Sequence, residues 1–268
     1  MIIKILKFIY RKVIIFFFNF LMNRKKIKLK YFGSKYGGWY IYDHLNLKNS
    51  TIISCGVGED VSFDIEMINK YKLKVVFVDP TPRSILYFDE IKKNLGSKKS
   101  QIYSSHGYQN INSYDLSQIK DDNINFVKQA IWFKSDDELK LYYPKNKSNV
   151  SLSVSNFSNG YKKDTDFIKV KSTTYNDLLK KFNITKLTLI KLDIEGAEYE
   201  VILNLLKNNI LPDQILVEFD ELYTYQLNKL RKYLKLHQYL IKKNYISAKT
   251  NHFSNQLYLK RECLKKLH

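Results

Sequence analysis

The chain has 268 residues, enough for one large α/β domain with a buried core, and its 44% hydrophobic content excludes disorder. Its two cysteines, Cys55 and Cys263, lie far apart without C-x-x-C spacing, which excludes a disulfide framework or a zinc site and fits a reducing compartment. The formal charge of +19 invites a nucleic-acid reading, but much of it is a basic N-terminal arm: Lys4, Lys7, Arg11, Lys12, Arg24, Lys25, Lys26, Lys28 and Lys30, with no acid among them.

Residues 1–30 read as an amphipathic arm before a domain over 31–268. From Ile2 to Met22 the sequence is strongly apolar, with Lys4, Lys7 and Arg11 on one helical stripe. The uninterrupted apolar run, Val13 to Phe18, is far too short to span a bilayer, and Asn23-Arg24-Lys25-Lys26 stands where a secretory signal needs small residues. The expectation is a helix lying on an anionic membrane face through residues 1–22, on a cytoplasmic, peripheral protein; the alternative is a helix packed on the domain or on a partner.

The segment from Tyr31 to Tyr40 is aromatic and punctuated by Gly33, Gly37 and Gly38. Thr51 to Ser54 is a β-branched strand entering Gly56-Val57-Gly58; Val61, Ile65 and Ile68 recur at helical spacing, and Val75 to Val78 is a buried strand ending at Asp79-Pro80. A helix is expected from Pro82 to Leu95, and strands over Asn125 to Phe133 and Leu139 to Tyr143. Asn149 to Asn159 reads as a polar inserted loop. Then come a helix over Thr173 to Phe182, a strand from Leu187 to Asp193, a helix from about Gly196 to Lys207, a strand from Leu211 to Phe219, a helix over Tyr225 to Lys243 and a hairpin over Tyr245 to Lys260. The fold class is α/β: a mostly parallel sheet with helices on both faces and an antiparallel edge hairpin.

Two glycines followed about twenty residues on by an acid at a strand end form a nucleotide-type cofactor site, with Asp79 placed to accept from two ribose hydroxyls. Glu59 and Asp60, expected in the first helical turn, repel a pyrophosphate and suit the cationic S-adenosylmethionine instead. Ligands sit beyond the carboxyl ends of such strands, so Asp193 points into the same crevice, with Glu195 and Glu198 at the site end of the next helix.

The string KLDIEGAEYEVI, from Lys191, resembles the signature of the FkbM family of S-adenosylmethionine-dependent methyltransferases. GGWYI, SCGVGEDVSFD, FVDPTPRS and VSLSVSN resemble one branch of it, so the likeness covers roughly residues 31–260. Family members commonly begin the glycine motif with an acid and end it with a glycine; Ser54 and Asp60 stand there in this chain. The resemblance implies a Rossmann-like methyltransferase fold and O-methylation of a hydroxyl, often on a sugar of a glycan, giving a carbohydrate or glycolipid acceptor. It places Ser54, Gly56, Gly58 and Glu59 at the methionine end of the cofactor, Asp79 at its ribose, and Ala130 with Ile131 beside its adenine. It turns Asp193, Glu195 and Glu198 towards the acceptor.

Methyl transfer needs an aligned oxygen and a nearby base. Asp193 is the first candidate base and Glu198 the next, with Lys191 on the same pleat face to tune or orient Asp193; His106 is an alternative. Asp193 and Glu195 suit a divalent metal, though two acids so close in sequence support none. Trp39, Ser151 and Ser153 are candidate acceptor contacts. A nucleic-acid methylase is disfavoured because Asp193-Ile194-Glu195-Gly196 is not the Asn/Asp-Pro-Pro-aromatic run of base-amino methylases. A catalytically silent, membrane-bound module of glycan assembly is the remaining rival.

Overall fold

The computed structural model describes residues 2–43, 45–146, 150–250 and 253–264; Asn149, the first residue of the expected polar loop, and the side chains of Lys4 and Lys7 lie outside that set. The chain opens with helix α1 (Ile2–Met22), followed by a small antiparallel pair, β1 (Lys30–Phe32) and β2 (Trp39–Ile41). Two strand–helix–strand units follow in order: β3 (Thr51–Cys55), α2 (Ser62–Tyr71), β4 (Lys74–Val78), α3 (Pro82–Lys93) and β5 (Ile124–Val127). Next come β6 (Ala130–Ile131), β7 (Glu138–Tyr142), β8 (Phe167–Thr173) and α4 (Tyr175–Lys181), then β9 (Leu187–Leu192), α5 (Glu198–Lys207), β10 (Gln214–Glu218), α6 (Leu227–Lys242), β11 (Tyr245–Ala248) and β12 (Asn255–Lys260).

Seven of these strands form one sheet in the order β11-β12-β10-β9-β3-β4-β5. The five from β5 to β10 are parallel, and β12 runs antiparallel between β10 and β11. Side chains alternate across this sheet, so each strand feeds two cores. Ile53, Val76, Ile190 and Val217 pack with α1, α4, α5 and α6, whereas Ile52, Val75, Leu189 and Leu216 pack with α2 and α3. Burial on both faces explains why these strands are continuous apolar runs rather than alternating ones. The sheet and its covering helices are the Rossmann-like arrangement expected from the sequence.

Three expectations need correction. Asn125 to Phe133 is not one strand: β5 ends at Val127, and Ala130–Ile131 leaves to join a second sheet of order β6-β8-β7. Strand β8 is an element the sequence reading lacks, although Ile168-Lys169-Val170-Lys171 alternates apolar and polar residues. Glu59 and Asp60 are not in a helix, because α2 begins at Ser62.

Helix α1 is not a free arm. Ile14, Phe18 and Met22 belong to the main core, Phe18 meets Phe253 edge-on at 5.3 Å, and the Arg11 guanidinium sits 5.0 Å over the Tyr225 ring. The basic stripe therefore faces the domain at Arg11, in line with the packed-helix alternative. The opposite face is apolar too: Phe16, Phe17, Phe20 and Leu21 are exposed. Beyond the helix, Lys25 forms a parallel bridge to Ala248 on the edge strand β11, with Lys25 N–H donating to the Ser247 carbonyl at 2.7 Å. Among the described residues no helix is long and apolar enough to cross a membrane.

Phe18→Ala is expected to destabilise the full chain by about 3–5 kcal/mol in urea unfolding, while Phe16→Ser on the outer face stays within about 0.5 kcal/mol of the parent. Equal effects at the two positions would refute docking through the Ile14–Phe18–Met22 face.

Candidate active site

Strand order reverses between β3 and β9, and the loops at their carboxyl ends enclose a cavity of about 440 Å³. Gly56, the first residue after β3, has φ +81°, and a Cβ there would lie 1.6 Å from the Asp193 carbonyl oxygen. The crossing of these two loops thus requires a glycine at 56. Gly58, also left-handed at φ +57°, is different: a Cβ there would meet only Val150 at 3.7 Å, so the backbone is open to a ligand.

Asp79 ends β4 and lines this cavity, but its carboxylate is fully engaged by the protein. Oδ2 accepts from the Val57 and Gly58 amides at 2.8 and 3.3 Å and from the Ser84 hydroxyl at 2.9 Å; Oδ1 accepts from the Thr81 amide and hydroxyl at 2.8 and 2.6 Å. Asp79 therefore ties the glycine loop to the start of α3, and a ribose must displace one of these donors to reach it. Glu59 accepts from Arg83 Nε at 3.1 Å and Nη2 at 2.6 Å, and the buried Asp60 accepts from the Ser34 hydroxyl and the Ser62 amide. Both line the cavity; Arg83 neutralises Glu59, whereas the donors to Asp60 are neutral, so the repulsion expected of the two acids falls to Asp60.

Four further carboxyl groups lie on the opposite side. Asp193 follows β9, Glu195 lies two residues on, and Glu218 and Asp220 follow from β10; all four line the cavity. Burial holds the Asp193 carboxyl above its ordinary range, with Lys191 opposing and Asp79 adding to the shift. Burial first and Asp193 second push Glu195 up to about 7, and the same two causes push Glu218 to about 7. Asp220 is raised well above the carboxylate range, chiefly by burial and then by Glu195 and the other acids. Glu195 has φ +54°, a left-handed geometry costing a non-glycine residue about 1–3 kcal/mol. The Ser153 hydroxyl, donating to the Glu195 carbonyl at 2.6 Å, pins it there.

Lys191 is buried at the cavity wall, and its Nζ donates to the Gly56 carbonyl at 2.9 Å. It braces the loop crossing beside Asp193. Ala130 and Ile131 of β6, Trp39 of β2 and Ser151 also line the cavity. The remaining candidates do not: Ser54 is fully buried within β3, Ser153 serves the backbone of Glu195, and His106 is exposed outside the lining.

Glu198 is corrected most clearly. It is fully buried, outside the lining, and its carboxylate folds back to accept from the Gly196 amide at 3.0 and 3.1 Å and from the Ile194 amide at 3.3 Å. It caps the loop before α5 rather than facing an acceptor. Reading a helix from Gly196 had placed it wrongly, since α5 starts at Glu198 itself. Glu218 and Asp220 were missed, although the strand-end rule that found Asp193 applies equally to β10.

A doubly wound sheet with an open glycine turn after its first central strand, facing a second strand that ends in acids, defines a nucleoside-cofactor enzyme of the methyltransferase type. The family model for the methyltransferase FkbM domain matches residues 34–246. The chain belongs to that family and is an S-adenosylmethionine-dependent methyltransferase. No curated protein matches it. Among solved structures it is similar to the Podospora anserina methyltransferase PaMTH1 bound to SAH, at 10% identity and a TM-score of 0.39, covering 79% of this chain and 71% of that one. The cavity fits the cofactor on its own evidence: Gly58 leaves the backbone bare, Ala130 and Ile131 give an apolar wall, and the acids supply negative charge for a sulfonium and an ammonium.

Burial raises Glu198 from 4.5 to about 8, the Gly196 amide opposing. The folded state therefore keeps a proton that the unfolded chain releases, so this contribution is complete below pH 4.5 and is lost as pH rises to about 8. Glu198→Gln is expected to flatten the fall of the thermal midpoint across that window, and an unchanged slope in scanning calorimetry would contradict the assignment.

Proposed function

We propose that this methyltransferase is an O-methyltransferase acting on a hydroxyl of a sugar, in a glycan or glycolipid. The observation that carries the reading is the wall of Asp193, Glu195, Glu218 and Asp220 facing the glycine loop. Carboxylates accept hydrogen bonds from a neutral polyol, and they repel the phosphates of a nucleic-acid acceptor. Tyr36, Tyr223 and the buried Trp39 line the same space.

S-adenosylmethionine supplies an electrophilic methyl group whose departing bond leaves its electron pair on sulfur. Gly58 and the Ala130–Ile131 wall are the residues that would hold it, with Asp79 at its ribose if a donor is released. The chain's own task is to aim one acceptor oxygen along the carbon–sulfur axis and take its proton. Asp193 is assigned as that base: it borders both loops and no side-chain hydrogen bond occupies its carboxylate among the described residues. Lys191 is a positioning residue, and Glu195 with Ser151 shapes the acceptor side.

Asp193→Asn is expected to lower kcat by about 10²–10⁴-fold while S-adenosylmethionine binding by calorimetry stays within a few-fold. An acceptor screen with labelled methyl donor that transfers label to an amine or thiol but to no hydroxyl would overturn the O-methylation reading.

The outer face of α1 supports a peripheral location on an anionic membrane. Phe16, Phe17 and Phe20 are exposed at 67%, 57% and 72%, flanked by exposed Lys12, Lys25, Lys26 and Lys28 with no acid nearby in sequence. Aromatic burial plus lysine contacts is the chemistry of an interfacial helix. In liposome co-sedimentation the triple change of Phe16, Phe17 and Phe20 to Ser should release the protein from phosphatidylserine vesicles; equal pelleting of parent and variant would end the idea.

A further inference from the structure

We propose that the acid wall holds a divalent, oxygen-loving cation through Asp193, Glu195 and Asp220. The inference rests on the O-methylation reading only for the cation's role, not for its binding. One carboxylate oxygen from each of the three residues lies within 4.8 Å of the other two. A cation that binds oxygen at about 2.0–2.6 Å spans opposite ligands about 4–5 Å apart. The three oxygens are therefore close enough together to share one calcium, magnesium or manganese ion.

A group of acids alone is not a site; Asp220 supplies the second observation. It is 8% exposed, lines the cavity, and its Oδ2 is fully buried with no hydrogen-bond partner. A buried carboxyl oxygen with no partner forfeits its hydration without compensation, and here it lies among further acids. Lys191, the ammonium in this wall, donates to the Gly56 carbonyl. Glu218 accepts from the Ser254 hydroxyl at 3.0 Å and Glu195 is hydrogen-bonded by Ser151, so among the described residues Asp220 Oδ2 is the oxygen of this wall left with no partner. An all-carboxylate oxygen set selects magnesium, manganese or calcium over zinc or copper.

The backbone reinforces the arrangement. The left-handed turn at Glu195, pinned by Ser153, brings a second acid to the wall within two residues of Asp193, and the turn after β10 brings the third from a neighbouring strand. With the acceptor hydroxyl as a further ligand, its acidity rises, the proton passes to Asp193, the oxygen–carbon bond forms and the carbon–sulfur electron pair remains on sulfur.

The test uses the full chain, freed of metal by chelator and titrated with Mn²⁺ by electron paramagnetic resonance, with S-adenosylmethionine binding measured on the same sample. The expected result is one Mn²⁺ per chain, weakened at least about tenfold in Asp220→Asn, with donor binding unchanged and a native circular dichroism spectrum. Glu90→Gln, on the exposed face of α3, serves as the control and should bind Mn²⁺ as the parent does. A parent that binds the donor but no stoichiometric Mn²⁺, or an Asp220→Asn that binds it equally well, overturns the cation site alone. Mn²⁺ binding with methyl transfer to no hydroxyl instead overturns the O-methylation reading and leaves the site standing.

Discussion

The geometry of this enzyme depends on one close approach: the turn after β3 passes directly over the turn after β9. Gly56 is the point of contact, because any side chain there would occupy the Asp193 carbonyl, and the two turns are stitched by Asp193 N–H donating to the Cys55 carbonyl at 3.1 Å and Lys191 Nζ to Gly56 at 2.9 Å. A buried lysine spent on a backbone carbonyl is unusual chemistry for a surface-loving residue. It is explained by position, since it braces the loop that carries the acids and offsets their charge. Donor end and acceptor end are thereby held in one rigid unit, which is what an in-line displacement requires.

The acids of the cavity divide by how they are satisfied. Asp79, Asp60, Glu59 and Glu198 are structural fasteners: each has hydrogen-bond donors or an arginine arranged around it. Asp193, Glu195 and Asp220 line the cavity with fewer donors around them, and burial, reinforced by neighbouring acids, lifts their proton affinity as burial does for Glu198. The same residue type thus builds the scaffold in one place and reactivity in another, and the distinction lies in the donors.

This division also marks what was legible in the sequence. The buried strands, the glycine turn and Asp193 could be read because parallel sheets produce continuous apolar runs and place function at strand ends. Donor counts could not be read, which is why Glu198 and Asp193 looked alike on paper although one caps a loop and the other faces the cavity. Boundary errors mattered more than missing elements: moving the start of α5 by two residues turned Glu198 from site to core, and moving that of α2 took Glu59 and Asp60 out of a helix. Helix α1 showed a different limit. A sequence with apolar residues all around a helix cannot say which side is packed, and here one side seals the domain while the other is bare.

The parallel bridge from Lys25 to Ala248 has a consequence for how this protein is handled. Strand β11 ends the large sheet, and an uncovered outer strand offers its amides and carbonyls to any other chain. Removing the first thirty residues would strip that cover and expose Ile14's and Phe18's former seat together, so a shortened version is expected to self-associate. Loss of soluble material after such trimming would report a bared sheet margin, not a lost membrane anchor.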